Sequence, residues 1–97
     1  YEDLRPLVDR QISTGAPVLV AEPCLMYART SGTTAKPKLV PVTREVVRRT
    51  ARNLRAMALA QHRACALYAG RVLAITGSSK EDTLPDGTPI GSVSGVL

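Results

Sequence analysis

Ninety-seven residues make one domain at most. A chain that short buries only about two-thirds of its unfolded surface, and with no Phe, no Trp and three Tyr its core is built from Ala, Val and Leu. The 44% apolar fraction argues against a disordered tail, no apolar run approaches the roughly 20 residues of a membrane span, and no basic-then-apolar leader opens the sequence. The net charge of +5 is uneven: residues 27–71 hold ten basic side chains against Glu45 alone, while both flanks are net acidic, which brings an anionic partner such as phosphate or nucleic acid into view.

Residues 1–14 read as a short helix, with Leu4, Leu7, Val8 and Ile12 at helical spacing, Asp3 as its cap, Pro6 in its first turn and Gly15 as its stop. Val18-Leu19-Val20 is strand or loop, and Glu22-Pro23 breaks it. Residues 25–29 read as a strand, residues 30–37 as a polar loop, and residues 38–42 as a second strand in which Pro41 marks an edge or a bulge. Thr43 caps the longest element, a helix over residues 44–66 that Gly70 can end. Val47, Leu54 and Ala58 form its expected buried stripe, and Arg48, Arg52 and Arg55 lie opposite on an exposed one. Residues 71–76 (RVLAIT) read as a buried strand, 77–89 as a turn-rich connection, and 90–97 as a strand interrupted by Gly and Ser. The expectation is an α/β segment in which a loop between two strands precedes a long helix. Ile90, Val93, Val96 and Leu97 are expected to be poorly covered, as in a piece of a longer protein.

Chemistry concentrates in Thr30-Ser31-Gly32-Thr33-Thr34-Ala35-Lys36-Pro37-Lys38. Hydroxyl and glycine positions in a row offer backbone N–H and side-chain O–H donors, the combination that grips phosphate. Gly32 lets the backbone approach a ligand, and Lys36 and Lys38 bring positive charge. The loop is not a Walker A sequence, because Ala35 precedes Lys36 and Pro37 follows it. Gly91-Ser92-Val93-Ser94-Gly95 is not a nucleophile elbow, because Val93 stands where the serine would be. Ser92 and Ser94 are read as strand or turn residues, with the lining of a substrate pocket as the alternative. Cys24 and Cys65 are neither a CxxC nor a disulfide framework and are expected to be buried, reduced thiols. With only one histidine in the chain, a zinc site has no ligand set. Tyr27 is expected in a strand core, Tyr68 packed at the end of the helix, and His62 as an ordinary helix residue.

The run Thr30, Ser31, Gly32, Thr33, Thr34, then Pro37 and Lys38, resembles in order and without a gap the phosphate-binding loop of the adenylate-forming superfamily. Ala35 departs from that pattern, which has Gly there, and implies a stiffer loop. The flanks, Tyr1-Glu2-Asp3-Leu4-Arg5-Pro6 upstream, Leu39-Val40-Pro41-Val42-Thr43 after the loop and Gly91-Ser92-Val93-Ser94-Gly95 downstream, are similar to those of the auxin-responsive acyl-acid amido synthetases and their bacterial relatives. The resemblance implies that residues 1–97 are a partial N-terminal segment of a larger adenylating domain. It implies a ligase that activates a carboxylic acid with ATP and passes the acyl group to an amine, typically of an amino acid. Thr30, Ser31, Gly32, Thr33, Thr34, Lys36 and Lys38 would bind the nucleotide. Mg2+ would be held by residues outside the segment, no catalytic residue falls within it, and the segment alone would be inactive. The partners implied are ATP, the acid and the amine, in the cytoplasm and without a membrane. Two alternatives stand beside this: an acyl-CoA synthetase with a thiol acceptor, and a basic nucleic-acid-binding module, against which the scarcity of aromatic residues for base stacking counts.

Overall fold

The computed structural model describes residues 1–30 and 37–97. Its first helix, α1, spans Arg5–Thr14. No side chain caps it: the N–H groups of Leu4 and Arg5 donate to the Tyr1 carbonyl at 2.8 and 2.9 Å, so a backbone turn starts the helix where Asp3 was expected to. Pro6 sits in the first turn, where its missing N–H costs nothing. Gly15 ends the helix as expected, left-handed at φ 66° with its N–H on the Gln11 carbonyl.

Two antiparallel strands flank the loop, β1 at Cys24–Arg29 and β2 at Leu39–Thr43. Pairing shifts between Cys24 and Met26, so Leu25 is the extra residue of a bulge. The expected irregularity is therefore on β1, while β2 is indeed an edge strand. Two short strands complete the sheet, β3 at Asp82–Thr83 and β4 at Pro89–Gly91, in the order β2-β1-β4-β3. β4 runs parallel to β1, with Tyr27 opposite Ile90 and Ala28 opposite Gly91. The core is Val8 of α1, Tyr27 and Ile90, with Ile12, Leu19, Cys24, Leu39 and Leu84 packed around it. Met26 and Val42, partners in register, are also buried.

The long helix, α2, spans Arg44–Cys65. Thr43 caps it, its hydroxyl accepting from the Val46 N–H at 3.3 Å. The helix ends before Gly70. Ala66 adopts a left-handed conformation with its N–H on the His62 carbonyl at 2.7 Å, and the chain folds back so that the Tyr68 N–H donates to His62 Nδ1 and the Tyr68 hydroxyl meets Gln61 Oε1. Tyr68 thus does close the helix end. The expected buried stripe is only partly covered: Val47 and Ala58 are half-buried and Leu54 is 45% exposed. No residue of α2 is fully buried.

The reading of residues 71–76 as a buried strand is overturned. They form no strand, and Leu73 and Ile75 are 87% and 90% exposed. The place beside β4 is taken by the next stretch instead: the Ser92 N–H donates to the Ser78 carbonyl and the Glu81 N–H to the Ile90 carbonyl, at 2.7 and 2.8 Å. The strand expected over 90–97 stops at Gly91 and continues as a 3-10 turn at Val93–Gly95. Two glycines let the backbone pass closely here. A Cβ on Gly91 would lie 2.5 Å from the Ser79 carbonyl carbon, and one on Gly95 would lie 2.5 Å from the Gly77 carbonyl oxygen. Backbone lies directly on backbone here, which no larger residue permits. Ile90 is accordingly buried, against expectation, while Val96 and Leu97 remain exposed.

The whole is elongated. Its radius of gyration is 16.1 Å, against about 12.5 Å for a compact chain of this length. Its accessible surface, 7312 Å², exceeds by about 2,000 Å² the value expected for a folded monomer of 10.3 kDa. Among the described residues, no helix is long and apolar enough to cross a membrane.

Candidate functional site

The loop of interest leaves the carboxyl end of β1 and returns on β2. Its stem is closed by Thr30 and Lys38: the Thr30 N–H donates to the Lys38 carbonyl at 3.0 Å, and the Lys38 N–H reaches the Thr30 hydroxyl at 3.4 Å. Of the expected phosphate-binding residues, Thr30 and Lys38 are therefore placed side by side at the base. Ser31, Gly32, Thr33, Thr34 and Lys36 lie outside the described residues. Because β1 and β4 are parallel, the loop and the Ser92–Gly95 segment both leave the carboxyl ends of adjacent strands, the side on which open α/β sheets place their ligands. Ser92 and Ser94 are engaged with each other at 2.7 Å, and Ser94 accepts from the Gly77 N–H at 3.0 Å, which is the turn-building role expected of them.

The Lys38 ammonium lies 5.4 Å from the centre of the Tyr1 ring, and the Arg5 guanidinium lies 5.7 Å from it. Tyr1, Arg5, Asp9, Pro37 and Leu39 surround a cavity of about 290 Å³ beside the stem. Arg29, the last residue of β1, reaches Asp82 of β3 at 3.1 Å. The Asp82 carboxyl is held below the usual carboxylate range, first by the Thr83 N–H and then by Arg29.

A second cavity of about 320 Å³ lies at the other end of β1, lined by Gln11, Cys24, Tyr27, Glu22, Asp86 and neighbours. Gln11 organises it. Its amide donates to Tyr27 Oη and Cys24 Sγ, both at 3.1 Å, and its carbonyl accepts from the Leu19 and Val18 N–H groups at 2.9 and 3.3 Å. Burial pushes the Tyr27 hydroxyl above its ordinary value. Sequence reasoning passed over Gln11, because a glutamine in a helix looks like any exposed polar residue. The only signal was its place in line with Leu4, Leu7 and Val8.

Cys24 is half-buried, while Cys65 is exposed, contrary to expectation, with its thiol on the Gln61 carbonyl at 3.2 Å. His62 is exposed on the last turn of α2. Arg48, Arg52 and Arg55 are exposed, as their spacing required. Glu45 pairs with both Arg48 and Arg49, and its carboxyl is lowered first by Arg49. Among the described residues, no three of His, Cys, Asp and Glu converge to hold a metal ion.

The described residues thus show an antiparallel strand pair joined at Thr30 and Lys38, set in a mixed sheet and followed by a capped helix. Residues 1–97 match the family model described as the GH3 family N-terminal domain. The chain belongs to the GH3 family, the adenylate-forming family of auxin-responsive acyl-acid amido synthetases. No match was found among curated proteins or among solved structures.

Proposed function

We propose that this chain supplies the ATP phosphate loop of an ATP-dependent ligase that converts a carboxylic acid to its acyl-adenylate and delivers the acyl group to an amine, an amino acid in the simplest case. The observation that carries this reading is the gapless Thr30–Thr34, Pro37, Lys38 pattern inside a segment that matches the family along its whole length. Ser31, Thr33 and Thr34 donate to the β- and γ-phosphates, Gly32 gives backbone access, and Thr30, Lys36 and Lys38 complete the anion-binding rim. Adenylation expels pyrophosphate, so charge builds on the leaving group as the α-phosphate is attacked. Donors fixed around that charge before it forms are the protein's contribution. Among the described residues no group of His, Cys, Asp and Glu fits a magnesium ion, and in this reading its ligands, like the catalytic groups, belong to polypeptide outside residues 1–97.

The test is acid-dependent ATP–pyrophosphate exchange in the full synthetase. Ser31→Ala or Thr34→Ala slows exchange by on the order of 10²–10³, whereas Cys65→Ala and His62→Ala leave it unchanged. A wild type inactive with a broad panel of carboxylic acids overturns the reading. Product analysis with an amino acid and with coenzyme A as competing acceptors separates amide formation from thioester formation. Salt-sensitive binding of random DNA, lost when Arg48, Arg52 and Arg55 become Gln, would favour the nucleic-acid alternative, for which the exposed arginine face speaks.

A further inference from the structure

Tyr1 makes an unusual pair of bonds. Its hydroxyl donates to the Leu39 carbonyl at 3.0 Å and accepts from the Leu39 N–H at 3.1 Å. In an antiparallel pair, consecutive residues turn their backbone groups alternately toward the partner strand and away from it. Thr30 and Lys38 bond each other, so the groups of Leu39 point to the open edge of β2. Tyr1 stands there in place of a further strand. Its ring meanwhile carries the Lys38 ammonium. One side chain thus holds two consecutive residues at the exit of the loop, Lys38 by its charge and Leu39 by its backbone.

Tyr1 is itself fixed. Its carbonyl receives the first N–H groups of α1, and α1 is anchored in the core by Val8 and Gln11. A continuous path of contacts therefore runs from the core through α1 and Tyr1 to the base of the loop. Arg5, one turn on, lies 5.7 Å from the ring centre and pairs with Glu2 at 3.4 Å, which leaves Lys38 as the cation on Tyr1 without a carboxylate partner among the described residues.

We infer that Tyr1 is a positioning residue for nucleotide binding: it sets the register and direction of the loop's exit strand and holds the Lys38 ammonium where the loop leaves the sheet. This rests on the phosphate-loop reading above. Tyr1 touches no phosphate in this scheme. It acts through Lys38 and Leu39, so its removal is felt by ATP and not by the acid.

The experiment is steady-state exchange kinetics in the full synthetase with Tyr1→Phe, Tyr1→Leu, Lys38→Ala and the Tyr1→Leu/Lys38→Ala double variant. Tyr1→Phe keeps the ring and loses both hydrogen bonds, and raises the KM for ATP by about tenfold while the KM for the acid stays put. Tyr1→Leu also loses the cation contact and raises it further. In the Lys38→Ala background the Tyr1→Leu effect shrinks, because the two act through one arrangement. Equal changes in both KM values, or full additivity in the double variant, overturn the inference and leave the phosphate loop standing. An unchanged KM for ATP in Tyr1→Phe does the same. Wild-type enzyme without any exchange overturns both. If Tyr1→Leu does not fold, Tyr1→Phe carries the decision alone.

Discussion

Tyr27 and Leu73 both sit in apolar, strand-like sequence, yet one is 4% exposed and the other 87%. Tyr27 lies in a strand with neighbours on both edges and with Gln11 of α1 bonded to its hydroxyl. Residues 71–76 have no such neighbour among the described residues, because residues 78–83 occupy the edge of β4. An apolar pattern states which side chains gain from burial. A ladder also needs a partner backbone to receive its N–H and C=O groups. The same contrast separates the two ends of α2: Val47, Thr50 and Ala51 are half-buried near β2, while Leu54, Met57 and Leu59 are exposed further on.

Denaturation of the 97-residue chain in urea would break this contrast most directly. Tyr27→Ala is expected to cost about 3–5 kcal/mol, as truncation of a buried aromatic does, whereas Leu73→Ala changes stability by no more than about 0.5 kcal/mol. Similar losses at the two sites would mean that residues 71–76 are packed as well as β1 is.

Two glycines sharpen the comparison with opposite signs. Gly91→Ala drives a methyl into the Ser79 backbone and should cost about 1–3 kcal/mol. Gly70 has open space around its Cβ position and no positive φ, so Gly70→Ala should stabilise by about 0.4–1 kcal/mol through the unfolded chain. Thermal melts of the two variants decide it, and a stabilised Gly91→Ala would refute the backbone-on-backbone contact.

The smallest effect is electrostatic. Asp82 and Asp86 are held below the usual carboxylate range, first by the N–H groups of Thr83 and Thr88, and Glu45 first by Arg49. Their folded values lie below their unfolded ones, so the stabilisation is present above about pH 4 and is lost as pH falls through the depressed values. Asp82 and Asp86 are exposed and Glu45 is half-buried, and solvent screens them. Between pH 6 and pH 3 the Tm of the wild type should fall slightly more than that of the Asp82→Asn/Asp86→Asn variant. Equal falls would remove these two carboxylates from the account.

The sequence shows its local signals well. Gly15 and Thr43 bound their helices because a left-handed stop and a hydroxyl cap act over three or four residues. The two strands at Cys24–Arg29 and Leu39–Thr43 are legible because strand-forming residues gather in blocks there. What stayed hidden depends on distant partners. Gln11 is buried only because Tyr27, Leu19 and Val18 converge on it. Tyr1 matters to β2 through contacts 38 residues apart in the chain. α2 ends at Cys65, within a residue of the expected end, but its left-handed stop is Ala66 and not Gly70, with Tyr68 returning to the last turn, contacts that propensity does not record. Of the site, Thr30 and Lys38 meet at the stem through a strand register that the sequence did not announce, and nothing in the sequence linked either to Tyr1.

The parallel pairing of Tyr27 with Ile90 also has a consequence in time. β1 and β2 are joined by a short connection and can meet early, whereas β4 can join only after the whole of α2 has been made and the chain has come back. At the usual 5–20 residues per second of synthesis, the inner edge of β1 waits some seconds, up to about twelve, for its neighbour. Over that interval Met26 and Tyr27 sit on an open strand edge in a half-made protein. The nascent chain is most vulnerable to wrong pairing there, and a chaperone would find its first binding site beside the Thr30–Lys38 stem.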